Sequence, residues 1–213
     1  MTIRLEEGRY KISIGGRWSL EDLYVFPRAY EQVYFLLYSL LPHDDEWIQE
    51  RIQFAYAQFP WRGGYSAVNF YNKLKYTTPR GERPQVLSLQ YASPGWIELS
   101  LLIGVAYAVE RLVKSIATAL REANYTYREI HEGLSKRKLL RIEVKRKELE
   151  LERAHAEYIE ECVQRMVRLL GLSDASQMHQ KTSSPLKTLK ILLSLYRRVR
   201  TLAEYQTKGK TKL

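Results

Sequence analysis

Eleven consecutive residues, Leu99 to Val109, carry no charge, with Glu98 on one side and Glu110, Arg111 and Lys114 on the other. Such a run has to leave water, yet a bilayer crossing takes about 20 apolar residues. Too short to span a membrane, the run has to be surrounded by protein. Ser93-Pro94-Gly95 just ahead of it fits a strand-to-helix junction. A serine oxygen there accepts from the free first-turn amides, and a proline at the first helical position has no amide to leave unpaired. The pattern predicts a helix from Trp96 to about Asn124, apolar nearly all round in its first half and so at the centre of a domain.

The residues before it supply the other layers. Thr2–Leu5 and Tyr10–Ile14 alternate apolar and polar side chains about Glu6–Gly8, which predicts a hairpin ended by Gly15-Gly16. Ser19 and Asp22 form a capping box, Pro27 suits a first turn or a kink, and Tyr30, Val33, Tyr34, Leu37 and Leu41 share a helical face up to Pro42. Ile48, Ile52, Ala55, Tyr56 and Phe59 keep helical spacing from about Asp45 to Phe59. Ile52, Phe54 and Tyr56 also alternate as a strand would, but helix is favoured. After Pro60 and the Gly63-Gly64 turn, Ser66 is placed to cap a short helix to about Lys75. Gln85–Tyr91 reads as a strand, with Leu87, Leu89 and Tyr91 on one face and Ser88 and Gln90 on the other. Residues 1–124 thus predict an α+β head, a small antiparallel sheet packed on helices within a predominantly helical chain.

Beyond it, Thr126 and Glu129 form a second capping box, no proline follows until Pro185, and Gly171 is a suitable stop. Residues 126–171 therefore predict one long charged helix, and Tyr127–Leu170 alone would measure about 65 Å. Gly133 is a place for it to bend. Ile142, Leu149, Ala156, Val163 and Leu170 recur every seven residues, but the paired positions are Lys145, Glu152, Ile159 and Met166. Only the C-terminal end has a coiled-coil seam. Glu132/Lys136, Glu143/Lys147 and Glu161/Arg165 support the solvated middle. A protruding helix with a seam at one end suits self-association. Residues 172–184 read as a polar linker, 185–205 as an amphipathic helix opened by Pro185, and 206–213 as a disordered basic tail.

The net charge of +10 is unevenly placed: Met1–Leu120 contributes +1, Arg121–Gln180 another +1, and Lys181–Leu213 the remaining +8. On the last helix Leu186, Leu189, Leu192, Leu193, Leu195, Tyr196, Val199 and Leu202 fill a wide apolar arc, opposed by Lys187, Lys190, Arg197 and Arg198. With Arg200, Lys208, Lys210 and Lys212 these cations are candidates for nucleic-acid phosphates or an acidic partner. An anionic membrane surface is a further reading. Equally, the apolar arc could fold back on the long helix and leave the cations solvated. A second candidate surface lies between Phe59 and Pro84, where aromatics and cations interleave: Trp61, Arg62, Tyr65, Tyr71, Lys73 and Lys75, with Tyr76 beside them. Aromatic platforms next to cations stack bases and hold phosphates; the same residues at helical spacing also make an ordinary core with a solvated rim.

No catalytic, metal or cofactor set is legible. Asp44, Asp45 and Glu46 follow His43 at a helix start, where the dipole accounts for the acids. Glu152 and His155 have the spacing of half a dimetal-bundle motif, with no second pair. Neither glycine pair has the lysine of a phosphate loop or the three-glycine dinucleotide fingerprint. Cys162, the single cysteine, excludes an internal disulfide and a four-cysteine zinc site. Acids at Glu6 and Glu7 stand where a signal peptide would be basic. These features predict a cytoplasmic protein without an export signal or a transmembrane segment.

The segment Gln90-Tyr91-Ala92-Ser93-Pro94-Gly95-Trp96-Ile97-Glu98-Leu99 resembles a junction in uncharacterised bacterial proteins, some of which look like accessory components of antiphage or conflict systems. The resemblance implies a bacterial adaptor and carries over no functional residue. The reading is then a non-enzymatic protein interaction or assembly module. The alternative is a nucleic-acid binder using the basic C-terminal helix and tail, and an enzyme assembled from scattered residues is a third class.

Overall fold

The computed structural model describes residues 6–58, 64–92, 94–137 and 153–213. The fold is predominantly helical α+β, with eight α-helices and one four-stranded antiparallel sheet among the described residues. In order these are β1 (Glu7–Ile14), α1 (Leu20–Ser39), α2 (Glu46–Gln58), α3 (Gly64–Thr77), a 3-10 turn at Arg80–Glu82, β2 (Gln85–Gln90) and β3 (Gly95–Leu102). Then come α4 (Ile103–Thr118), α5 (Leu120–Lys136), α6 (Arg153–Leu170), α7 (Ser176–Thr182), α8 (Pro185–Thr207) and β4 (Thr211–Lys212). The chain forms two compact units: a sheet unit of Met1–Leu41, Thr78–Thr118 and Arg197–Leu213, and a helical unit of Pro42–Thr77 and Ala119–Tyr196.

In the sheet unit the strand order is β2-β3-β1-β4. Tyr10, Ile12 and Ile14 point inward from β1, and their register partners Leu99 and Ile97 do so from β3, while Arg9, Lys11 and Ser13 face out. The helix cores are Phe26, Tyr30, Val33 and Leu37 on α1 and Val105, Val109, Leu112 and Val113 on α4. Tyr34 ties α1 to the sheet, its hydroxyl donating to the Glu82 carbonyl at 2.7 Å and accepting from the Leu102 amide at 3.1 Å. The Ser19–Asp22 capping box forms as expected.

Three expectations for this unit are corrected. The uncharged run is not one helix: it is strand through Leu102 and helix from Ile103. Ile97, Leu99 and Leu101 are buried while Trp96, Glu98 and Ser100 are half-exposed, a period of two that pairing between β1 and β2 selects. Tyr91, Ala92 and Pro94 accordingly lie between two strands, and Gly95 opens a strand where a helix was expected; Ser93 lies outside the described residues. A side chain at Gly95 would approach the Gln90 and Ala92 carbonyl oxygens to 2.5 and 2.8 Å, so only glycine fits. The N-terminal hairpin is absent as drawn, because Glu7 and Gly8 lie within β1, whose partners are β3 and β4; Thr2–Leu5 lie outside the described residues. The C-terminal tail is ordered. The amides of Gly209 and Lys210 bond back to Gln206 and Tyr205 at 3.0 and 2.9 Å, with Gly209 at φ +67°. This left-handed cap turns Thr211 and Lys212 onto Ile14 and Ser13, and Leu213 is buried.

In the helical unit, Ile48, Ile52, Ala55 and Tyr56 of α2 and Ala67, Phe70, Tyr71 and Leu74 of α3 are buried, with Tyr56 and Phe70 edge to face at 5.0 Å. The helical reading of α2 holds; Ser66 sits inside α3 and does not start it. The single long helix is overturned. Thr126 and Glu129 are interior to α5, which begins at Leu120. Glu129 is ion-paired to Arg165 at 2.5 Å, whereas 36 residues of one helix would separate them by about 54 Å. Arg137 also stacks on the Tyr158 ring at 3.7 Å, so α5 and α6 run antiparallel. Gly133 permits this approach, since a methyl there would overlap the Tyr158 hydroxyl and come within 2.8 Å of its ring. The heptad positions Ile142, Lys145, Leu149 and Glu152, and with Glu152 one half of the Glu152/His155 pair, lie outside the described residues. Gly171, at φ +66°, stops α6 as expected, the amides of Gly171 and Leu172 bonding back to Arg168 and Val167. The polar linker contains a helix, α7, which buries Met178 and Thr182. Ser184 caps α8, its hydroxyl accepting from the Lys187 amide at 3.2 Å, with Pro185 in the first position.

Candidate functional site

The C-terminal cations are mostly engaged within the protein. From Leu186 to Tyr196 every residue of α8 is buried, including Lys187 and Lys190 at 7% and 8% exposure. The Lys187 ammonium donates to the carbonyls of Ala57 at 3.2 Å and Thr182 at 3.4 Å. Further along, Arg198 donates to the Gln32 amide oxygen at 2.8 Å, and Arg200 pairs with Glu204 at 3.3 Å. Lys210 pairs with Asp22 at 2.7 Å, Arg197 is half-buried, and Lys208 and Lys212 are exposed. The wheel drawn from the sequence is right, but its basic arc faces protein; a phosphate backbone needs accessible cations.

The aromatic and basic stretch is divided. Trp61 and Arg62 lie outside the described residues, and Tyr65 is in the first turn of α3. Tyr71 is a core residue at 1% exposure, and Lys75 is half-buried. Lys73 is different. Its ammonium sits 4.6 Å from the centre of the Phe54 ring, and together with Arg51, Tyr76 and Thr77 these residues line a cleft of about 520 Å³ between α2 and α3. The sequence reading missed Arg51 and Phe54 as site residues. The signal was there: Trp47, Arg51 and Phe54 lie at i, i+4 and i+7, the outward face complementary to Ile48, Ile52 and Ala55.

A second surface belongs to the sheet unit. Among the described residues twelve large hydrophobic side chains are exposed, and seven fall in two segments: Leu20, Leu23 and Tyr24 on the first turns of α1, and Val86, Leu87, Leu89 and Tyr91 on and after β2. Among the described residues β2 is an edge strand, hydrogen-bonded to β3 on one side. Val86 and Leu89 share a face with their buried partners Leu99 and Ile97, yet are 65% and 53% exposed, so the covering layer stops short of β2. The Tyr91 hydroxyl accepts from the Trp18 amide at 3.4 Å and brings the end of β2 to the start of α1.

Thr188 bonds to His179 Nδ1 at 3.2 Å, and His179 Nε2 lies 3.8 Å from Glu160; His179 and Glu160 are partly exposed, but Thr188 is fully buried, so its hydroxyl is out of reach of a substrate. Burial pushes the Cys162 thiol up, away from a nucleophilic thiolate. Asp45 caps α2, accepting from the Trp47 and Ile48 amides at 2.9 and 3.3 Å, as its place at a helix start suggests. Among the described residues no group of His, Cys, Asp and Glu converges as a metal site, and no helix is long and apolar enough to cross a membrane. Compared with known protein families, with curated proteins and with solved structures, the chain matches none.

Proposed function

We propose that this protein is a non-enzymatic assembly module that joins a second copy of itself edge to edge through β2. The carrying observation is a strand edge left open among the described residues, whose side chains Val86, Leu87 and Leu89 are exposed. Edge strands that stay single are usually protected by charges, proline or an inward lysine. Gln85–Gln90 carries no charge, lysine or proline, and of the known protecting devices it has only a bulge, the irregularity between Val86 and Ser88. That irregularity puts Val86 and Leu89 on one face although they are three residues apart. Directly opposed residues of an antiparallel pair share a face. β2 therefore suits itself as a partner, with Val86 against Leu89 and Gln85 against Gln90. No charge meets its like. Leu20, Leu23 and Tyr24 extend the apolar surface from the start of α1, beside the Trp18–Tyr91 contact.

The adaptor role implied by the resemblance at Gln90–Leu99 is of the same class and rests on that resemblance alone. Nucleic-acid binding by the C-terminal helix and tail is the weaker reading, because Lys187 and Lys190 are buried and Arg198 and Lys210 are bonded within the protein, which leaves it Arg197 and the exposed Lys208 and Lys212. Light scattering across a concentration series tests the proposal, with Leu89→Lys as the variant. Leu89 is exposed, so its replacement leaves the fold and the circular dichroism unchanged. The wild type should be a dimer and Leu89→Lys a monomer. A wild type that stays monomeric at every concentration, or a variant that dimerises equally well, overturns it.

A further inference from the structure

We propose that the cleft between α2 and α3 binds a nucleotide, its base lying against Phe54 and Tyr76 and its phosphate between Arg51 and Lys73. This site is in the helical unit and is independent of the β2 edge. Four observations bear on it. The cleft, at about 520 Å³, has the size of a small-molecule site. Among the described residues its lining holds two cations and no carboxylate, so the charge that complements it is an anion's. The rings are in water: Phe54 is 47% exposed, Tyr76 66% and neighbouring Trp47 53%, three more of the twelve exposed large side chains. The cations lie along ring faces, Lys73 at 4.6 Å from the Phe54 centre and Arg51 at 4.5 Å from that of Trp47. A bare phosphate would have no use for the rings, and an apolar ligand none for the cations. A planar base joined to a phosphate uses both, by stacking and by charge. A free nucleotide and a nucleotide within a single strand offer this same chemistry.

Titration of tryptophan fluorescence with AMP, and separately with a short single-stranded oligonucleotide, tests the site on the full chain. Saturable quenching is expected with at least one of them, and Arg51→Gln or Phe54→Leu, both exposed positions, should weaken it about tenfold or more. Adenosine and inorganic phosphate, each supplying one half of the ligand, should bind at least about tenfold more weakly than the nucleotide. A free nucleotide as the natural form predicts that AMP binds as tightly as the strand. A strand predicts tighter oligonucleotide binding that falls steeply with salt. Either result supports the site. No saturable binding of AMP or oligonucleotide, or binding that both variants leave unchanged, overturns it. Light scattering of the same variants reports on the β2 edge, so the two proposals fail separately.

Discussion

Asp22→Ala should release the C-terminal segment from the sheet unit. The Asp22 carboxylate accepts from the Ser19 amide at 2.7 Å, the Lys210 ammonium at 2.7 Å and the Tyr205 hydroxyl at 2.8 Å. Losing a capping carboxylate costs about 1 kcal/mol. A hydrogen bond to a charged acceptor adds about 1.5 kcal/mol, and a partly exposed ion pair at most about 1 kcal/mol. Because these overlap at one side chain, the sum should be about 2–3 kcal/mol. Urea unfolding measures it, and amide exchange localises it: Gly15, whose N–H donates to the Lys210 carbonyl at 3.0 Å, should lose protection before the amides shared by β1 and β3. The pH dependence has a definite sign. The Lys210 ammonium, then the Ser19 amide and the Tyr205 hydroxyl, hold this carboxyl well below its ordinary value of 3.8. A group depressed on folding stabilises fully above its unfolded value and ceases to as pH falls through its folded one. The difference between wild type and variant should therefore be constant from about pH 5 to 8 and shrink below about pH 4. A variant within about 0.5 kcal/mol of wild type with Gly15 still protected would refute the reasoning.

Gly133→Leu should destabilise the protein by about 1–3 kcal/mol, because the new side chain meets Tyr158; adding Tyr158→Ala should recover part of the loss in a thermal melt. Lys187→Met removes the donor to the Ala57 and Thr182 carbonyls, and urea unfolding should show a loss of about 1–3 kcal/mol. Cys162, fully buried and with its thiol pushed up by burial, should react with a disulfide reagent at pH 8 only when urea unfolds the chain.

Signals that act within a turn or two were legible in the sequence alone. The Ser19–Asp22 box, the periodicity of Ile48, Ile52, Ala55 and Tyr56, the strand at Gln85, the stop at Gly171 and the start at Pro185 each involve groups a few residues apart, and each stands in the structure. The same holds for half of the cleft: Lys73 was visible beside its aromatics, while Arg51 and Phe54 join it only because α2 packs on α3. Tertiary structure decided the rest. Gly95–Leu102 is a strand because β1 and β2 flank it, which the uncharged run could not announce. α5 and α6 are a hairpin because Gly133 admits Tyr158 and Arg165 reaches Glu129 across 36 residues of chain. The +8 of the last 33 residues is a fact of sequence, but burial and pairing depend on what lies opposite a side chain. Ala57, Thr182, Gln32 and Asp22 face Lys187, Arg198 and Lys210, and hold these cations of an apparent basic arm against protein while Lys208 and Lys212 stay exposed.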